Sequence, residues 1–192
     1  MKQFNVYPEC NVDTNLVGFI IGGHVKHKSS CNEVVKAVNA SDSFAIGIID
    51  EDKRRATLDK GFRIVPIKSI GNECHVSMYI HDDCKRFIFT IKPAMDKFIH
   101  DAVKAQGVDL TEVGFPSSFD SFKKETKKIQ AATDPRLRRL LVLISDYPEL
   151  LRLKNTLKYL LAKQYEVDPD ISIGFFNGSL GIDDLEQYLV NK

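Results

Sequence analysis

Residues 44–49, Phe44-Ala45-Ile46-Gly47-Ile48-Ile49, run without a polar side chain, and the run closes on Asp50-Glu51-Asp52. It is bounded upstream by the polar turn Ala40 to Ser43. A half-exposed strand would alternate apolar with polar residues, and a buried helix would need a longer stretch. A short continuous apolar run between a turn and a charge cluster predicts a strand buried on both faces, as in a parallel sheet. Such a strand needs helices on either side of it, which places the chain in the α/β class.

The surrounding pattern supplies those layers. Gln3 to Pro8 is strand-like, with Phe4 and Val6 on one face. Asn11 to Ile21 repeats Val12, Leu16, Phe19 and Ile20 near a 3.6-residue period; Asp13 or Asn11 could cap it, and Gly22-Gly23 stops it. A second helical piece spans Cys31 to Val38, so strand, helices and strand form a βαβ-type unit. Phe62 to Ile67 is a further strand, short or at an edge because of Pro66. His75 to Ile80 and Arg86 to Ile91 flank a polar turn and predict a hairpin or two neighbouring strands. Pro93 opens a helix to about Ala105, with Met95, Phe98, Ile99 and Val103 as its buried stripe. Beyond residue 113 helices dominate: Phe119 to Ile129, Pro135 to Ile144, Pro148 to Tyr165 and Asp183 to Val190. The expected organisation is therefore a mostly parallel sheet flanked by helices over residues 1–113, with a mainly helical C-terminal extension over 114–192 packed on it.

Composition narrows the class. Apolar residues at 43% and charged residues at 28% are those of a folded globular chain. No stretch approaches the roughly 18 to 20 consecutive apolar residues of a membrane span. No apolar leader with a small-residue cleavage site follows Met1, so no secretory signal is expected, and the 4 scattered cysteines then read as reduced thiols in a cytoplasmic protein. The net charge of +1 argues neither for nor against a polyanionic partner, although Phe119 to Lys163 carries a local excess of Lys and Arg. That excess can contact phosphates or simply form the solvated face of amphipathic helices.

Acidic residues form the leading chemical constellation. In an open α/β sheet, ligands collect at the carboxyl ends of the strands. Glu9 follows the first strand, and Asp50 and Asp52 follow the most buried one. Residues two apart in an extended chain point the same way, so Asp50 and Asp52 could face one ion; hard oxygen ligands of this kind suit magnesium or manganese. The competing reading is that Asp50, Glu51 and Asp52 only cap a turn. Lys53, Arg54 and Arg55 could hold a phosphate or balance the charge of a solvated loop. His24, His27 and Cys31 could give three zinc ligands where a closed structural site needs four. Neither a nucleophile elbow nor a phosphate-binding glycine loop occurs.

Val6-Tyr7-Pro8-Glu9-Cys10-Asn11-Val12-Asp13, followed by Ile46-Gly47-Ile48-Ile49-Asp50-Glu51-Asp52, resembles the Toprim family of topoisomerases, primases and overcoming-lysogenization-defect nucleases with relatives in phage defence. The resemblance covers about residues 3–105. It implies Glu9 as a general acid or base and Asp50 with Asp52 as magnesium ligands, with Asp96 as a further acid at the start of a later helix. Cys10 stands where most members have glycine, and Arg54-Arg55 where many have another. The expected activity is a magnesium-dependent nuclease or related phosphotransfer on nucleic acid. The alternative is a non-catalytic module that binds a protein partner such as an ATPase. An Asp-x-Asp after an apolar strand also resembles haloacid-dehalogenase phosphatases, but Arg54 replaces the Thr or Val of that motif.

Overall fold

The computed structural model describes residues 5–23, 25, 27–51, 57–67 and 74–190. Among the described residues, five strands form one sheet: β1 (Val6–Pro8), β2 (Ala45–Asp50), β3 (Phe62–Ile64), β4 (Val76–His81) and β5 (Arg86–Ile91), in the order β1-β2-β5-β4-β3. The β1–β2 and β2–β5 pairs are parallel, whereas β5–β4 and β4–β3 are antiparallel. The sheet is thus mixed rather than mostly parallel. The reason is local: the Asp82–Lys85 turn joins β4 and β5 as a hairpin, which forces antiparallel pairing, while the two helices between β1 and β2 give the crossover that parallel pairing needs.

That crossover consists of α1 (Asn11–Ile21) and α2 (Cys31–Asn39). Neither Asp13 nor Asn11 is the N-cap of α1. Cys10 holds that place: the Asp13 N–H donates to Cys10 Sγ at 3.5 Å, and the Cys10 N–H donates to Asp13 Oδ2 at 3.1 Å, a reciprocal box. Gly22 closes the helix with a φ of 65°, which only glycine adopts readily. The cap of α2 is the Ser30 hydroxyl.

The two faces of the sheet are covered unequally. On one, Val6, Ile46, Ile48, Phe87, Phe89 and Met78 join a large core with α1, α3 (Met95–Ala105) and the C-terminal helices. On the other, Ala45, Ile49 and Ile88 meet Val34, Val35 and Val38 of α2. Gly47 makes that second contact close: a Cβ there would lie 2.8 Å from Val34 Cγ1 and 3.1 Å from Val38 Cγ2. β3 sits at the edge with Ile64 57% exposed, as Pro66 leads one to expect.

The C-terminal part contains α4 (Phe119–Thr126), α5 (Pro135–Leu143), α6 (Pro148–Lys163), α7 (Pro169–Asn177) and α8 (Ile182–Val190). The sequence pattern extends the first of these to Ile129; the chain instead leaves the helix after Thr126, and Ile129 lies 80% exposed in a 3-10 turn. Phe176 of α7 meets Phe89 of β5 edge-on, and Tyr147 before α6 packs at a tilt against Phe98 of α3. A polar clasp reinforces this packing. Glu149, near the start of α6, accepts from the backbone N–H of His75 at 2.8 Å and of Val76 at 3.2 Å, and its second oxygen lies 2.8 Å from His75 Nδ1. His75 Nε2 lies 3.2 Å from Asp101 Oδ2 on α3, and Asp101 in turn pairs with Lys97. Both His75 and Glu149 are buried. No helix among the described residues is long and apolar enough to cross a membrane.

Candidate active site

β1, β2 and β5 are adjacent and parallel, so their carboxyl ends open on the same edge of the sheet. Each delivers an acid there. Glu9 follows β1 directly, Asp50 is the last residue of β2, and Asp96 lies in the first turn of α3, just after β5. Glu9, Asp50 and Asp96 together line one pocket of about 230 Å³, with Cys10, His27 and Lys127 also in its wall. Strand order alone produces this convergence, since β2 is central and the other two acids arrive on either side of it.

Backbone hydrogen bonds fix two of the acids. The Asp50 N–H donates to Glu9 Oε2 at 2.9 Å, and the Glu9 N–H donates to the Ile48 carbonyl at 3.0 Å. The Met95 N–H donates to Asp50 Oδ1 at 2.9 Å. Ala94, the N-cap of α3, has no side-chain acceptor, so the Asp50 carboxylate from a different element takes that role. Asp96 Oδ1 accepts from the Lys97 N–H at 2.8 Å and the residue is 5% exposed. These contacts also tie β1, β2 and α3 to one another.

The local field is negative. Asp13, in the first turn of α1, is fully buried, and its Oδ1 has no hydrogen-bond partner. Burial first, then the charges of Asp50 and Glu9, push its carboxyl well above the usual carboxylate range. Burial, followed by Asp13 and Asp50, likewise pushes the Cys10 thiol up, which makes it an inert cap and not a nucleophile. His27 is exposed and lies 3.2 Å from Thr14 Oγ1 through its Nδ1.

Of the residues singled out in the sequence, Glu9, Asp50 and Asp96 therefore come together. Asp52, Lys53, Arg54 and Arg55 lie outside the described residues, as does His24. The zinc constellation does not assemble among the described residues: Cys31, the first residue of α2, packs in the core, whereas His27 lines the acidic pocket. Among the described residues no three His, Cys, Asp or Glu side chains are already grouped to ligate a single ion. Sequence reading missed the role of Asp50 as a cap for α3 and the placement of His27 and Lys127 in the wall; the two-element distance of these contacts leaves no local pattern.

Fold and site define an α/β protein with a carboxylate-lined pocket at the carboxyl edge of its parallel strands. The chain matches no protein-family model, no curated protein sequence and no solved structure.

Proposed function

We propose that the chain is a Toprim-like, magnesium-dependent nuclease or related phosphotransfer enzyme that acts on nucleic acid in the cytoplasm. The observation that carries this reading is the delivery of Glu9, Asp50 and Asp96 to one pocket by three adjacent parallel strands. Four free cysteines accord with a reducing compartment.

The donor set suits magnesium or manganese. These ions take hard oxygen ligands, need only one or two protein carboxylates and retain waters, so three pre-assembled ligands are not required. Asp13 is raised first by its burial and then by the charges of Asp50 and Glu9, so the ground beside these acids is already negative. Asp50 and Asp96 are the ligands in this reading, with Asp52 two residues beyond Asp50 in sequence. When bound, the metal supplies neutralisation of the charge that develops on a phosphodiester oxygen. Glu9 moves a proton or completes the metal shell, held in place by the Asp50 N–H. His27 and Lys127 in the wall are placed to orient the phosphate.

Asp50→Asn is the discriminating variant, because the amide oxygen still accepts from the Met95 N–H and the cap of α3 survives. Magnesium or manganese should raise the thermal midpoint of the wild-type protein, and Asp50→Asn should abolish that rise together with metal-dependent cleavage of plasmid DNA or tRNA. If millimolar metal leaves the wild-type midpoint unmoved, the chain is a non-catalytic module and a protein partner becomes the better reading.

A further inference from the structure

Thr126 and Lys127, at the end of α4, line the acidic pocket, and the chain runs on through Lys128 into the 3-10 turn Ile129–Thr133. Residues 127–130 are all exposed. Ile129, at 80%, is the most exposed large apolar side chain among the described residues. The backbone around it is nevertheless fastened. Asn15 of α1, fully buried, donates through Nδ2 to the Ala131 carbonyl at 2.8 Å and to the Asp134 carbonyl at 3.2 Å. Ala131 is itself buried, and its N–H donates to the Lys128 carbonyl at 2.9 Å. Ile129 is thus presented to water by an anchored turn.

The cations around this turn divide into paired and spare. Lys128 pairs with Glu125, and Arg136 with Glu125 and Asp134. Lys124 and Lys127 are exposed, three apart at the end of α4, and form no ion pair among the described residues. Arg138 is likewise exposed and spare, and it lies along α1: a Cβ on Gly18, three residues after Asn15, would sit 3.8 Å from its Nη2. A polyanion that approaches Glu9, Asp50 and Asp96 meets a negative field, and spare cations beside the pocket offset that repulsion.

One bare aliphatic side chain set among cations matches the alternation of apolar base faces and phosphates along a nucleic acid. Proteins part stacked bases with such wedges, isoleucine among them. The parting costs least in a strand that is already unpaired. Resting on the reading of the acidic pocket as a nucleic-acid site, we infer that Ile129 is a wedge that inserts between two bases of a single strand. Lys124, Lys127 and Arg138 hold the neighbouring phosphates, and the wedge sets which phosphodiester is offered to the pocket.

The test uses short single-stranded DNA and RNA oligomers that carry 2-aminopurine, whose fluorescence rises when it is unstacked. Binding is read by anisotropy in EDTA, so the result does not depend on a metal. The wild-type protein should bind and raise the 2-aminopurine signal. Ile129→Ala should abolish that rise and weaken binding about threefold to tenfold, whereas Ile129→Leu should keep both. Because the side chain is exposed, neither variant should move the thermal midpoint. Lys127→Gln should weaken binding and lower the slope of log affinity against log salt by about 0.7. The oligomer bound more tightly names the sugar. Unchanged affinity and fluorescence in Ile129→Ala, or no binding of either oligomer, would overturn the inference. So would a protein dimer that Ile129→Ala dissociates, which would assign the loop to a second copy of the chain. Failure of the metal reading shows separately, as a wild-type midpoint that magnesium and manganese leave unmoved.

Discussion

Replacing Glu149 tests the clasp between β4 and the helical part of the chain. The carboxylate accepts from two backbone N–H groups and the His75 ring, all buried or nearly so. Glu149→Ala removes one partner of a buried pair and strands those donors, which costs about 3 to 5 kcal/mol. For a chain of this size each kcal/mol shifts the midpoint by about 2 to 4 °C, so a fall of about 6 to 20 °C is expected. Glu149→Gln keeps an oxygen for the two backbone donors and loses only the charge opposite His75, a cost of about 1 to 2 kcal/mol. The pair also sets a pH dependence. The hydrogen bond to Glu149 raises the His75 value, so its contribution is complete below the ordinary histidine value and is lost as pH rises through the raised one. Burial pushes the Glu149 carboxyl up, but bonds from His75, Cys74 and Val76 outweigh this and hold it low; its contribution is present above the ordinary glutamate value and is lost as pH falls through the depressed one. The clasp is therefore strongest in the weakly acidic range between the two, and Glu149→Gln should flatten the decline on its alkaline side. Urea unfolding followed by circular dichroism across that range reads both effects. Equal losses in the Ala and Gln variants, or a midpoint drop below about 2 °C in Glu149→Ala, would refute this account of the clasp.

Gly47→Ala should cost about 1 to 3 kcal/mol, because the new methyl meets Val34 and Val38 and α2 must move away from β2; chemical denaturation checks it, and a neutral result would show that α2 is not held against the strand. Cys10→Ala should lose about 0.5 to 1 kcal/mol with the cap of α1, whereas Cys10→Ser should match or exceed wild type, since a hydroxyl is the better acceptor. Cys10 should resist iodoacetamide in the native protein at neutral pH and react once it is unfolded, as read by mass spectrometry. Tyr159→Phe should cost about 1 kcal/mol by leaving the Asp168 N–H, 3.0 Å from the hydroxyl, without its acceptor.

Much of the sheet was legible because its signals are local. The apolar run at 44–49 identifies the strand buried on both faces, and Gly22-Gly23 marks the end of α1 through the backbone freedom of glycine, whereas the Ser30 cap of α2 was not read. The mixed pairing was less legible, since hairpin and crossover differ in connection length more than in composition. α7 escaped notice although Asp168-Pro169 repeats the start signal of Asp134-Pro135. Its apolar residues Ile171, Ile173, Phe175 and Phe176 do not form one stripe, because this helix packs on several neighbours at once. At the site, the order of Glu9 and Asp50 was readable, and Asp96 was placed by resemblance. The bond from the Met95 N–H to Asp50 was not, since it joins residues 45 apart in sequence.

That bond links the two acids energetically. Asp50 anchors the first turn of the helix whose next residue is Asp96, so loss of the first carboxylate also loosens the footing of the second. Alanine substitutions at 50 and 96 are then expected to be non-additive, and a deficit in Asp50→Ala mixes lost chemistry with a displaced neighbour. Only Asp50→Asn separates the two, because it removes the charge and keeps an oxygen that the Met95 N–H can donate to.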